Sequence, residues 1–87
     1  MGGAETSFSL QSQNPVSGPL HVSFSLPTSA PAQLEVFDVA GRTVVSRAVG
    51  GKLGTQSISL GKLPTGLYLI RLGHAGRLIT NRVAVIQ

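Results

Sequence analysis

An all-β antiparallel sandwich of about seven short strands is predicted by three observations. Apolar residues recur with period two in almost every segment, as in strands with one buried face. Breaks rich in Gly, Pro and Asn divide the chain at short intervals. No segment places apolar residues at i, i+3, i+4 and i+7 over two turns, so no substantial helix is expected. The 87 residues are room for one domain, and the 41% that are apolar can fill one thin core.

Taken in order, Phe8-Ser9-Leu10 reads as a first strand, closed by the Asn14-Pro15 break and the Ser17-Gly18-Pro19 turn. Residues 20–26 alternate cleanly, with Leu20, Val22, Phe24 and Leu26 on one face. Pro27 ends that strand and Pro31 keeps the link extended. Residues 33–39 form the next, with Leu34 and Val36 on one side and Phe37 and Val39 on the other. Ala40-Gly41-Arg42 is a turn, and residues 43–49 return as a hairpin partner. Residues 50–54 are a loop, and residues 56–60 a short strand with Ile58 and Leu60 inward. Leu63-Pro64-Thr65-Gly66 is a turn before a dense, central strand at residues 67–72. Gly73-His74-Ala75-Gly76 is another turn, and residues 77–86 are a strongly β-branched last strand. Seven such strands read as an immunoglobulin-like sandwich spanning residues 8–87. Residues 1–7 read as a disordered N-terminal segment or an expression scar.

Composition narrows the function. Charged residues are 11% of the chain, against about 25% in an average soluble domain. With abundant Ser, Thr and Gly, this suits an extracellular β domain better than a cytosolic enzyme. The absence of Cys excludes disulfides, thiolate metal sites and cysteine nucleophiles. The net charge of +4 comes from Arg42, Arg47, Lys52, Lys62, Arg71, Arg77 and Arg82 against Glu5, Glu35 and Asp38. The basic residues are spread rather than clustered, so no nucleic-acid interface is expected. They read first as solvated charge and second as contacts to an anionic surface. No apolar run reaches the roughly 18 residues of a membrane helix, so no membrane insertion is expected. The N-terminal residues lack the basic and apolar regions of a signal peptide, so an export signal is expected elsewhere in a longer protein.

No catalytic or metal-binding constellation is legible. His21, on the polar face of its strand, and His74, in a turn, are both expected at the surface. No Gly-x-Ser-x-Gly elbow occurs, and two histidines and three acids at scattered positions do not make a zinc site. No Asp-rich calcium loop is present, and Gly50-Gly51-x-x-Gly54 lacks the Gly-Lys-Ser/Thr of a phosphate loop. The expectation is a non-enzymatic domain without catalytic residues, cofactor or metal. Asp38, Gly41 and Arg42 read as a structural turn motif, with Asp38 bonding backbone N–H groups and pairing with Arg42. Tyr68, just after a Leu-Pro-x-Gly turn, reads as a tyrosine corner whose hydroxyl bonds an upstream carbonyl.

Four motifs occur in a fixed order: Asn14-Pro15 with Gly18; Phe24-x-Leu26-Pro27; Val36-Phe37-Asp38-x-x-Gly41-Arg42; and Leu63-Pro64-Thr65-Gly66-Leu67-Tyr68. Arg82-Val83-Ala84-Val85 closes the chain. Together they resemble the C-terminal sorting domain of type IX secretion substrates of the Bacteroidetes (type A, the Por secretion system sorting domain), from Asn14 to Gln87. They are also similar to the immunoglobulin-like domain of the flagellar hook-capping protein. That relative usually carries a longer segment with a Trp-Asp-Gly run, which is missing here. The resemblance implies a parent protein that crosses the inner membrane by a separate signal and passes through the periplasm. The type IX machinery then carries it to the cell surface or medium. It implies a sortase-like peptidase as partner, and anionic lipopolysaccharide as an attachment point in some members. It also implies Gly66, Tyr68, Arg82, Val83 and Val85 as sorting-signal residues. Many members end in a basic residue, whereas this chain ends in Gln87.

Two other classes stay open on sequence: a carbohydrate-binding module and an inert spacer of fibronectin type III character in a secreted hydrolase. Sugar platforms need exposed aromatics, and the chain has no Trp. Phe24 and Phe37 fall at expected core positions, which leaves Phe8 as the one loosely placed ring.

Overall fold

The computed structural model describes residues 8–86, all of whose regular elements are strands. Residues 1–7, expected to be a disordered segment or scar, and Gln87 lie outside the described residues. The elements are β1 (Ser9–Ser12), β2 (Val16–Ser17), β3 (His21–Leu26), β4 (Pro31–Asp38), β5 (Thr43–Gly50), β6 (Gly54–Ser59), β7 (Gly66–His74) and β8 (Arg77–Ile86). They form a three-stranded sheet, β1-β3-β6, and a five-stranded sheet, β2-β8-β7-β4-β5. The fold is the all-β, immunoglobulin-like sandwich that the alternation and turn spacing predict.

The core lies between the sheets, and period two decides its membership. Leu20, Val22, Phe24 and Leu26 are buried from the small sheet's side, and Leu34, Val36, Ile70, Leu72, Val83 and Val85 from the large sheet's. Leu10 and Val16 close one flank. Burying each such aliphatic side chain stabilises the fold by about 1.5–3 kcal/mol, and this carries a domain with no disulfide.

Three expectations need correction. An eighth strand, β2, appears where a turn was expected. It is two residues long and pairs in parallel with Val85 and Ile86 of β8, too short for any periodicity to reveal. Phe37 is not core. Alternation runs unbroken along β4, burying Ala32, Leu34 and Val36, so Phe37 falls on the outer face, half-buried beneath the Arg71 guanidinium, 4.7 Å from its ring centroid. His74 is not exposed in a turn. The strand runs on through it, because the β7–β8 reversal needs only Ala75 and Gly76, both at positive φ (52° and 80°). That is a two-residue hairpin turn. The alternation Tyr68, Ile70, Leu72 therefore continues inward to His74, which is 3% exposed. Its Nε2 lies 3.1 Å from Thr28 Oγ1, and its ring packs at 5.7 Å from Phe8. Its Nδ1 meets no protein partner among the described residues.

Candidate functional site

The two sheets turn different surfaces outward. On the small sheet, the register places Ser23 opposite Ser57 and Ser25 opposite Thr55. Their hydroxyls bond each other at 3.2 and 2.9 Å. Ser9 and Gln11 of β1 extend the polar row. Cross-strand hydroxyl pairs of this kind satisfy themselves and leave a wet face.

The large sheet is unlike it. Across β4, β7 and β8 the register aligns Phe37, Leu69 and Arg82 in one row, and Glu35, Arg71 and Thr80 in the next. Leu67 and Ala84 form a third. Leu67 is 61% exposed and Leu69 40%. With Val39 at the hairpin, Phe37, Leu67, Leu69, Arg71 and Arg82 border an open groove of about 540 Å³. Its charges are unequal in their commitments. Arg71 donates to Glu35 Oε1 at 2.8 and 3.3 Å while covering Phe37. Arg82 is exposed and has no acidic partner among the described residues.

The β4–β5 hairpin forms one end of this groove. Asp38 Oδ1 accepts the backbone N–H groups of Ala40 and Arg42, each at 3.0 Å, and Oδ2 accepts Arg42 Nε at 3.1 Å. Gly41, at φ 84°, completes the reversal, with its N–H donating to Asp38 O. The backbone hydrogen bond from Arg42, with the guanidinium beside it, holds the Asp38 carboxyl below the usual 3.8. Tyr68 turns inward and its hydroxyl donates to Pro64 O at 2.6 Å, the geometry of a tyrosine corner.

The residues singled out as a sorting signal are therefore not one surface. Tyr68, Val83 and Val85 are core, Gly66 is half-buried, and Arg82 is exposed. A methyl group added at Gly66 would meet the Tyr68 ring at 3.8 Å, an ordinary contact. The outer edge of β8 is largely closed at its end. Asn14 Oδ1 accepts the Ala84 N–H at 2.9 Å, Asn14 Nδ2 approaches Arg82 O at 3.4 Å, and β2 pairs with Val85 and Ile86. Sequence reasoning missed Leu67 and Leu69 as surface residues. Their alternation with Tyr68 and Ile70 was the available signal, hidden by a strand apolar on both faces.

Among the described residues no group of three or more His, Cys, Asp or Glu side chains could hold a metal. His21 and His74 sit on different strands, the first exposed and the second in the core. Each described Phe is covered: Phe24 in the core, Phe37 under Arg71, and Phe8 between His74 and Arg77. No helix is long and apolar enough to cross a membrane.

A family model described as the secretion system C-terminal sorting domain matches residues 14–87. The chain belongs to that family. It is a sorting domain of type IX secretion, whose role is to mark a protein for export to the cell surface or the extracellular space. Among solved structures, the β-glucuronidase of Parabacteroides merdae contains a similar fold, at 23% identity and a TM-score of 0.60. The likeness covers 93% of this sorting domain and 13% of that enzyme, and at this identity it shows the fold alone. No curated protein matches the chain closely enough to count as a relative.

Proposed function

We propose that the domain is a non-catalytic passport for a larger secreted protein. The parent crosses the inner membrane by a separate signal and folds in the periplasm. The type IX machinery then recognises the sorting domain and passes the parent through the outer membrane. A sortase-like peptidase then removes the domain or joins the parent to anionic lipopolysaccharide. The family match along nearly the whole chain carries this reading. The covered state of the described Phe rings favours it over a sugar-binding module. The kinship with the hook-capping domain rests on motif order alone.

Within the signal, Arg82 is the member a partner can touch. Tyr68, Val83 and Val85 act by fixing strands β7 and β8 around it. Gly66 has no packing reason to be glycine, which suits a role in recognition.

The test is to fuse all 87 residues to the C-terminus of a periplasmically targeted reporter in a host with a type IX system. The whole chain is required, because β1 contributes Leu10 to the core and its Leu10 carbonyl accepts Asn81 Nδ2 at 2.6 Å. Protease-accessible reporter at the cell surface is expected. A folded fusion that stays in the periplasm sinks the reading and leaves the inert spacer. Truncating residues 83–87 is a poor control, since it removes Val83 and Val85 from the core.

A further inference from the structure

The hydroxyl face of the small sheet bonds to itself, and the end of β8 is capped by Asn14 and β2. On the outer face of the large sheet, beyond the Arg71–Glu35 pair and the Phe37 ring that Arg71 covers, Leu67 and Leu69 are left uncovered. Leu67 and Leu69, two residues apart on β7 and 61% and 40% exposed, stand side by side along the groove. Contiguous exposed apolar side chains of this kind mark interaction sites on soluble domains.

Resting on the sorting reading, the geometry points to a docking site on this face for an extended segment of a partner protein that carries an apolar side chain beside a carboxylate. The apolar side chain lies over Leu67 and Leu69, and the carboxylate pairs with Arg82. Charge decides the occupant. Glu35 is committed to Arg71 and Asp38 to Arg42, so the domain's own described acids are spent. Arg82, in register with Leu69, is left as an uncompensated cation at the edge of an apolar strip. A guanidinium fork is matched by one carboxylate. A second copy of the domain would bring a net charge of +4 and a second Arg82 against the first. A groove of about 540 Å³ lying open along two strands admits a few side chains of an extended chain. The carboxylate supplies orientation and encounter rate, and the leucines supply contact area.

The proposal is tested on the full 87-residue chain, 15N-labelled, by NMR titration. The probes are acetyl-Val-Thr-Asp-Thr-Val-amide, which in an extended chain puts Val, Asp and Val on one side, and the same peptide with Lys for Asp. The Asp peptide is expected to move the amide signals of Leu67, Leu69, Arg71 and Arg82. The Lys peptide should bind about tenfold more weakly, and Arg82→Glu should reverse that preference. No shifts, equal shifts with both peptides, or shifts confined to another face would overturn it. So would concentration-dependent shifts of the same amides without peptide, which would assign the face to a second copy. In cells, Arg82→Glu and, separately, Leu69→Thr should each lower surface display of the reporter fusion about tenfold, with the melting temperature retained. If these variants are exported normally, the face is not the docking site, although the sorting reading stands. If the unsubstituted fusion itself is not exported, it is the sorting reading that has failed.

Discussion

The outer face of the three-stranded sheet is lined with Ser23, Ser25, Thr55 and Ser57, and that of the five-stranded sheet with Phe37, Leu67, Leu69 and Arg82. Both belong to one small sandwich, and both sheets bury an equally apolar inner row. The small sheet shows what the fold needs from a solvent-facing surface: polar side chains of modest size that pair across strands. The large sheet departs from that solution at the cost of solubility. Side chains as exposed as Leu67 contribute little to stability, so the reason for them lies outside the domain's own folding. A module whose role is to be recognised has such a reason.

The contrast between inner and outer rows is the easiest to break. Phe24→Ala, in the inner row of β3, should cost about 3–5 kcal/mol, read from the urea midpoint at constant slope. Its chain neighbours Ser23 and Ser25, replaced by Ala, should each stay within about 0.5 kcal/mol. Similar losses at all three positions would mean that the β3 alternation is wrongly phased.

That alternation was legible in the sequence because one residue type repeats per face. Leu20, Val22, Phe24 and Leu26 needed no more than counting. β7 was harder: Leu67, Tyr68, Leu69 and Ile70 are all apolar, so period two leaves no contrast, and only pairing with β4 and β8 tells the faces apart. His74 was misplaced because Gly73 and Gly76 both look like turn residues, yet the turn uses only Ala75 and Gly76. The site was legible in part. Arg82 stood out as a basic residue before an apolar tail, whereas its partners in the groove come from strands up to 45 residues distant, Phe37 among them.

A smaller effect is expected at the corner that joins the two rows. Tyr68→Phe removes the hydroxyl that donates to Pro64 O while keeping the ring in the core. It should cost about 1 kcal/mol. No change in stability would mean that water replaces the bond at no loss, and that the Leu63-Pro64-Thr65-Gly66 turn holds its shape without it.

The hairpin at the end of the groove should respond to acid. The Asp38 carboxyl titrates below its usual 3.8 because the Arg42 N–H and guanidinium favour the charged form. A group whose folded value is depressed stabilises the fold above its unfolded value, and that contribution disappears as the pH falls through the folded one. The wild-type chain should therefore lose a small increment of melting temperature below pH 4 that Asp38→Asn lacks, with the two curves converging toward pH 2. Parallel curves over that range would show that the hairpin keeps its shape whether or not Asp38 is charged.

The smallest expected effect on stability is the most informative about the comparison. Leu67→Thr and Leu69→Thr make the outer face of β7 resemble the hydroxyl face of the other sheet. Thr brings the β-branching that strands favour, and Leu67 at 61% and Leu69 at 40% exposure lose side-chain atoms that were already partly in water. The pair should change stability by no more than about 1 kcal/mol, a few degrees of melting temperature in a domain of this size. Solubility should rise, because an apolar patch has been removed. If the double variant instead unfolds several kcal/mol more easily, the two leucines are holding Phe37 and Arg71 in place, and their exposure has an internal explanation. If it stays folded and more soluble, the leucines have no structural reason to be there, and the difference between the two faces belongs to recognition.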